Sequence, residues 1–174
     1  MSTERAGGTT FQGNPLTVIG DKLNVGDQAP DFALVGAGLS TVTLADSAGK
    51  VRLINVVPSL DTGVCSMQTK RFNDEVASFG DKVVMLGVSA DLPFAQGRWC
   101  QSNEANSVQS LSDHRDMSFG DAYGTHIKEL RLEQRSVFVV DENDTIQYAE
   151  YVDEVVDHPD YDAALGALKE AVGA

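Results

Sequence analysis

Val51-Arg52-Leu53-Ile54-Asn55-Val56-Val57-Pro58-Ser59-Leu60-Asp61-Thr62-Gly63-Val64-Cys65 is the stretch on which the fold turns. Its first seven residues are mostly aliphatic and β-branched and do not alternate with polar ones, as expected of a strand buried on both faces. Pro58 stops it, because proline cannot donate to a sheet ladder. A short loop over 58–63 follows. From 64 to 79, Val64, Phe72, Val76 and Phe79 mark one helical face, and Gly80-Asp81 closes it.

Outward from this unit the same alternation of elements continues. Residues 83–88 read as a second buried strand, and Pro93 suits the first position of a helix. A short strand over 108–111 and a short helix over 118–123 come next. Residues 137–140 and 145–151 form two strands joined by a turn at Glu142-Asn143-Asp144, and Tyr161, Ala164, Leu165, Leu168 and Val172 line one face of a closing helix. On the N-terminal side, 39–44 alternates like a half-buried strand. Phe11 to Val18 reads as a hairpin turning at Gly13-Asn14, with Pro15 confining its second strand to a sheet edge. Residues 1–10, small and polar, read as a flexible N-terminus ahead of a single domain over 11–174. Strand–helix–strand units require parallel crossovers and the late hairpin adds an antiparallel pair. The expectation is an α/β thioredoxin-like fold: a mixed central sheet flanked by helices, with an N-terminal β-hairpin extension.

Composition narrows the function. The 174 residues hold 13 Lys and Arg against 26 Asp and Glu, a net charge of −13. The basic residues are scattered, so neither a nucleic acid nor an anionic membrane is an expected partner. No apolar run is long enough to span a bilayer, and Met1 to Thr10 has no apolar core of a secretory signal. The expected location is therefore the cytoplasm, a reducing compartment where paired cysteines serve redox chemistry more often than structure. Two cysteines do not make a disulfide scaffold.

Cys65 falls in what should be the first turn of the helix, with Asp61 or Thr62 as N-cap. Unpaired N–H groups and the positive end of the helix dipole favour an anion there, and a thiol so placed can fall below its free pKa of about 8.5. The alternative is a small core residue. Thr62 stands where a thioredoxin-type Cys-x-x-Cys would have its first thiol; a hydroxyl there cannot close a disulfide but can hold a substrate oxygen. Cys100, the other thiol, ends the helix that Pro93 opens. It is either a partner that condenses with a sulfenic acid or a buried neighbour of Trp99.

Pro58-Ser59-Leu60-Asp61-Thr62-Gly63-Val64-Cys65 contains the Pro-x-x-x-Thr-x-x-Cys motif of peroxiredoxins. Phe11-Gln12-Gly13-Asn14-Pro15, Ser89-Ala90-Asp91-Leu92-Pro93-Phe94-Ala95-Gln96 and Val140-Asp141-Glu142-Asn143-Asp144 resemble the bacterial thiol peroxidase branch of that family, in order and spacing from about residue 11 onward. The resemblance implies an atypical two-cysteine peroxidase acting on hydrogen peroxide or organic hydroperoxides. In it Cys65 would be peroxidatic and Cys100 resolving, through an intramolecular disulfide. Pro58 would shield the thiolate and Thr62 would hydrogen-bond sulfur and peroxide. Arg135 would supply the guanidinium, with Arg131 the other arginine of that segment. Thioredoxin as reductant and a homodimer are implied as well, and no metal or organic cofactor is required.

The other constellations point elsewhere less well. His114, His126 and His158 are not at ligand spacing with either cysteine. Gly36-Ala37-Gly38 does not continue into a dinucleotide loop. The acidic run Asp153, Glu154, Asp157, Asp160 and Asp162 lacks the glycine and terminal glutamate of a calcium loop. Apolar Leu60, Val64, Phe94 and Trp99 near the cysteines suggest a bulky hydroperoxide. A redox sensor passing oxidation to a partner, and an inert thioredoxin-like scaffold, are the rival functions. Since one cysteine opens a helix and the other closes the next, their union is expected to need local unwinding.

Overall fold

A computed structural model describes residues 2–173. The elements run β1 (Glu4–Phe11), β2 (Asn14–Ile19), β3 (Leu34–Val35), β4 (Thr41–Val42), β5 (Val51–Val56), α1 (Gly63–Val76), β6 (Val83–Ser89), α2 (Pro93–Ser102), β7 (Val108–Ser112), α3 (Ser118–Tyr123), β8 (His126–Ile127), β9 (Leu132–Glu133), β10 (Ser136–Val140), β11 (Ile146–Tyr151) and α4 (Tyr161–Val172). Seven strands form one sheet in the order β11-β10-β5-β6-β7-β3-β4, and four more form a second, β1-β2-β8-β9. β5, β6 and β7 are mutually parallel, whereas β10 runs antiparallel to both β5 and β11. This is the mixed sheet expected from the sequence.

The two faces of the sheet follow the period of two along each strand. Ile54, Val56, Phe138 and Val140 point to one side and pack with Phe32, Phe119 and Tyr123. Val51, Leu53, Val137 and Val139 point to the other, against Phe72 and Val76 of α1 and Leu165 and Leu168 of α4. Both faces are covered, which is why β5 is buried at every position and shows no polar alternation. α4 starts where Asp160 accepts the Ala163 N–H at 3.0 Å and ends at Gly173 with φ 77°. Because β5, β6 and β7 are parallel, the loops after all three leave the same edge of the sheet, and Asp91, Asp113 and, just beyond its loop, Cys65 stand there.

The N-terminal expectation needs correcting. Residues 4–10, read as part of a flexible N-terminus, belong to β1. They are held because Arg5 donates to the carbonyls of Gly20 (2.8 Å) and Gly124 (2.5 Å), and Thr10 N–H donates to Asp153 O at 2.8 Å. Gly20 and Gly124 permit that docking: both have positive φ, and a Cβ on either would lie 2.3–2.4 Å from a carbonyl of the opposing segment. The turn is Gln12-Gly13, both at positive φ as a two-residue hairpin loop requires, and not Gly13-Asn14. β2 is also not an edge strand, since β8 pairs with it, but only at Val18 and Ile19, so Pro15 interrupts no ladder on that side. Within 39–44 only Thr41–Val42 is strand; Leu39 takes a φ of 63°, and a capping box between Thr43 and Asp46 curls the chain into a 3-10 turn. The two-residue strands β3, β8 and β9 were not anticipated, being too short to show a period.

One buried carboxyl pair ties β9 to the sheet. Asp113 accepts the N–H groups of Phe119 (3.2 Å) and Gly120 (2.8 Å), and Glu133, fully buried, approaches it while accepting from Thr125 Oγ1. Burial first, then Asp113, holds the Glu133 carboxyl well above its ordinary value of 4.5. Asp121, whose carboxylate meets His126 Nδ1 at 2.7 Å, adds in the same direction. The folded chain therefore keeps a proton on Glu133 that the unfolded chain has released, so stability is greatest below pH 4.5 with respect to this group and falls as pH rises towards the folded value. Glu133→Gln mimics the protonated acid and should flatten that decline, raising the urea midpoint at pH 8 relative to the parent more than at pH 5. An identical gain at both pH values would show that Glu133 is not the group responsible.

Candidate active site

α1 starts at Gly63 with Thr62 as N-cap, in extended backbone, and the first intrahelical bond is Ser66 N–H to Thr62 O at 3.0 Å. Cys65 is thus the third residue of the helix, where the N–H groups of Gly63, Val64 and Cys65 have no helical acceptor. Its residue is fully buried. Thr62 does not use its hydroxyl as a cap. Instead Oγ1 lies 2.7 Å from Cys65 Sγ and 2.9 Å from Ser59 O. One hydroxyl proton cannot satisfy both. While the sulfur is a thiol it can donate to Thr62 and Thr62 can donate to Ser59 O; once the sulfur is an anion, Thr62 turns its proton to it.

Arg135 is the residue just before β10, which pairs with β5, and so reaches across to the start of α1. Its Nη2 is 3.3 Å from Cys65 Sγ. Arg135 is only 2% exposed, and every other partner of its guanidinium is neutral: Nε and Nη2 donate to Val155 O (3.0 and 2.7 Å) and Nη1 donates to Gln68 Oε1 (2.9 Å). Among the described residues no carboxylate pairs with it. Arg131, the other candidate, is exposed, with φ 51°, and donates to Arg115 O instead.

Three further residues, which the sequence reading passed over, close this into a ring. Gln68 Nε2 donates to Asn55 Oδ1 (2.6 Å), Asn55 Nδ2 to Thr69 Oγ1 (2.9 Å), and Thr69 Oγ1 to the Cys65 carbonyl (2.9 Å). The chain of bonds leaves Cys65 at its sulfur and returns at its carbonyl. All three side chains are buried. Their signal was present: Asn55 is a polar residue inside an otherwise apolar strand, and Gln68 and Thr69 stand three and four residues after Cys65, on its own helical face.

Pro58 is buried and, with Thr62, Gly63, Val64 and Arg135, lines a cavity of about 390 Å³. Apart from Ser59, the remaining wall is apolar: Phe11, Ile127, Leu130, Leu132, Val155 and Val156. A Cβ on Gly63 would meet nothing within 4 Å, so the helix start is open to whatever enters. Of the apolar residues expected to shape a substrate site, Val64 lines this cavity. Leu60 and Trp99 pack instead into a small cluster with Val57 and Ala105, and Phe94 is 70% exposed elsewhere on the surface.

Both cysteines are free. Cys100 Sγ lies 2.9 Å from Ser110 Oγ and faces a second cavity of about 330 Å³ lined also by Ser40, Val42, Pro93 and Gln96. It abuts the same small cluster as Cys65, yet the two thiols have different hydrogen-bond partners. His114, His126 and His158 do not gather with either thiol, and no group of three or more His, Cys, Asp or Glu able to hold a metal occurs among the described residues.

A buried helix-start thiol under a guanidinium, on a thioredoxin-like sheet, defines a thiol-based redox enzyme, and the relatives agree. Residues 24–165 match the Redoxin family. The thiol peroxidase of Bacillus subtilis (strain 168) is 56% identical over 163 residues, covering 94% of this chain and 97% of that protein. That of Listeria innocua serovar 6a is 54% identical over 162 residues, covering 93% and 98%. Among solved structures, a peroxiredoxin-like protein from Aquifex aeolicus superposes with a TM-score of 0.87 at 35% identity, covering 98% of each chain. The chain belongs to the Redoxin family, and within it to the thiol peroxidases; it is a peroxidase of the peroxiredoxin kind.

The geometry makes Arg135 the donor whose loss should cost most. Arg135→Lys keeps a charge but not the fork that reaches Val155 O, Gln68 and the sulfur together. The second-order rate of peroxide reduction should fall by about 10²-fold, the usual cost of one aimed donor. Stopped-flow peroxide consumption measures it; an unchanged rate in a folded variant would remove Arg135 from the reaction.

Proposed function

We propose that Cys65 is the peroxidatic residue of this peroxidase and that Cys100 resolves it. The observation that carries this reading is the buried Arg135 guanidinium, whose other partners are all neutral, lying 3.3 Å from Cys65 Sγ. A sulfur anion there supplies the counter-charge that the guanidinium otherwise lacks. The thiolate attacks one peroxide oxygen; an S–O bond forms as the O–O bond breaks. The displaced oxygen takes up a proton and leaves as water or alcohol. Negative charge grows on that oxygen, and the donors already around the sulfur (Thr62 hydroxyl, Arg135 Nη2 and the free N–H groups of the helix start) are in place to meet it without reorganisation. Pro58 walls the site from bulk water.

The Cys65 sulfenic acid then condenses with Cys100: an S–S bond replaces the S–O bond and the oxygen departs as water. An external dithiol, of which thioredoxin is the candidate, returns both thiols by exchange. No metal or organic cofactor enters any of these steps. The apolar cavity supports organic hydroperoxides as substrates alongside hydrogen peroxide. The exposed apolar side chains at its rim, Phe11, Leu130 and Val156, support a homodimer that would cover them. Unpaired thiols that must be re-reduced in every cycle fit the cytoplasm.

The test is intact-mass spectrometry with thiol alkylation before and after one equivalent of peroxide. The parent should lose two hydrogens, mapped to Cys65 and Cys100 of one chain. Cys65→Ser should consume no peroxide beyond background, and Cys100→Ser should complete one turnover per chain and then stop. Loss of that single turnover in Cys100→Ser would overturn the division of labour. A bond to another chain would move resolution to a partner and favour an oxidation relay.

A further inference from the structure

The segment Ser89-Ala90-Asp91, which leads from β6 into α2, has no part in the reaction described above, yet its aspartate grips the loop that carries Cys65. Asp91 Oδ1 accepts the Ser59 hydroxyl at 2.7 Å, and Oδ2 accepts the Leu60 N–H at 2.8 Å. From the sheet side, Oδ2 also accepts the Ser89 hydroxyl at 2.8 Å. Ser89 Oγ in turn accepts from Gln96 Nε2 of α2 at 2.9 Å, and Ser112 at the end of β7 donates its hydroxyl to Asp91 O. The carboxylate is thus anchored to the carboxyl edge of the sheet and holds the loop between β5 and α1. No basic side chain pairs with Asp91 among the described residues. Its charge is met by hydroxyl and N–H groups, two of them from the Cys65 loop.

The grip extends to the sulfur. Ser59 Oγ, while donating to Asp91, lies 3.3 Å from Asp61 N–H, and Ser59 O accepts from Thr62 N–H (3.2 Å) and faces Thr62 Oγ1 (2.9 Å), which contacts Cys65 Sγ at 2.7 Å. Asp91, Ser59, Thr62 and Cys65 form one continuous run of hydrogen bonds. The two sulfurs have different partners, Thr62 and Arg135 for Cys65 and Ser110 for Cys100, so on the proposed cycle the disulfide takes Cys65 out of its contacts and the 59–62 turn lets go.

We propose that Asp91 is a positioning residue that latches the Cys65 loop in its peroxide-reactive conformation and so sets how long a Cys65 sulfenic acid stays in place before Cys100 reaches it. This rests on the reading of Cys65 and Cys100 given above. While the latch is closed, the sulfenate faces the same donors that assist the first displacement, and a second peroxide can oxidise it to sulfinic acid: a second S–O bond forms as the second O–O bond breaks, and the displaced oxygen takes a proton and leaves as water or alcohol. When the latch opens, condensation with Cys100 expels water instead. Asp91 thereby sets the partition between the two fates.

Asp91→Asn retains the shape and one acceptor but replaces a charge-assisted pair of bonds; Ser59→Ala removes one of them and leaves the carboxylate intact. In rapid-quench mass spectrometry over a range of peroxide concentrations, Asp91→Asn should form the disulfide about tenfold faster, from the loss of a charge-assisted bond. It should need correspondingly more peroxide to reach half sulfinic acid, and Ser59→Ala should lie between it and the parent. Amide exchange of 59–66 in the reduced protein should rise in the same order. Unchanged disulfide rate, peroxide threshold and amide exchange in both folded variants overturn the latch. If the parent forms no Cys65–Cys100 disulfide, the cycle itself fails, and the latch is then decided by amide exchange alone: equal protection of 59–66 in parent and Asp91→Asn overturns it.

Discussion

A guanidinium buried beside a thiol is the constraint around which the rest of the molecule is arranged. Taking an ion out of water costs several kcal/mol even after relaxation, and Arg135 is almost wholly enclosed. Three hydrogen bonds fix its orientation, but Val155 O and the Gln68 amide are neutral and cannot cancel its charge. Among its described partners, the Cys65 sulfur is the one atom able to carry a negative charge.

Holding that contact requires much of the fold. Arg135 precedes β10, whose pairing with β5 brings it under the start of α1. Val155, which follows β11, supplies its carbonyl to the fork and its side chain to the cavity wall. The ring through Gln68, Asn55 and Thr69 ties the side chain, strand and helix to one another, and each member is buried and paired on the side facing the next. Such a network positions well only when complete, since an unpaired buried polar group costs more than a formed bond returns.

In the proposed cycle, this rigidity is opposed by the need for Cys65 to leave. The loops following three parallel strands converge on one sheet edge, and there the chain puts contacts that are polar and local: Ser59 to Asp91, Trp99 Nε1 to Ser66 Oγ at 3.0 Å, and the exposed pair of Arg98 and Asp61. Such contacts can be exchanged for water one at a time, unlike the two apolar cores that cover the sheet. On that cycle Cys65 stands at the join between a part of the fold that must not move and a part that must.

The sequence by itself determined the elements long enough to show a period or a breaker. The buried run before Pro58, the proline opening α2, the 118–123 helix and the closing amphipathic helix are local patterns, and local geometry produced them. The thiol at the start of α1 and the hydroxyl three residues before it were equally local, because helix caps are set by adjacent residues. What tertiary structure decided is everything that joins distant positions. The choice of Arg135 over Arg131 follows from β10 register, not from spacing along the chain. β1 is a strand because Arg5 reaches two glycine carbonyls that no nearby residue announces, and strands of two residues exist only through their partners. Along the chain, nothing marks Asn55 inside its strand or Asp91 ahead of α2 as partners of the Cys65 segment. Burial and long-range hydrogen bonding, which only the folded chain supplies, turn them into the ring and the grip that hold Cys65.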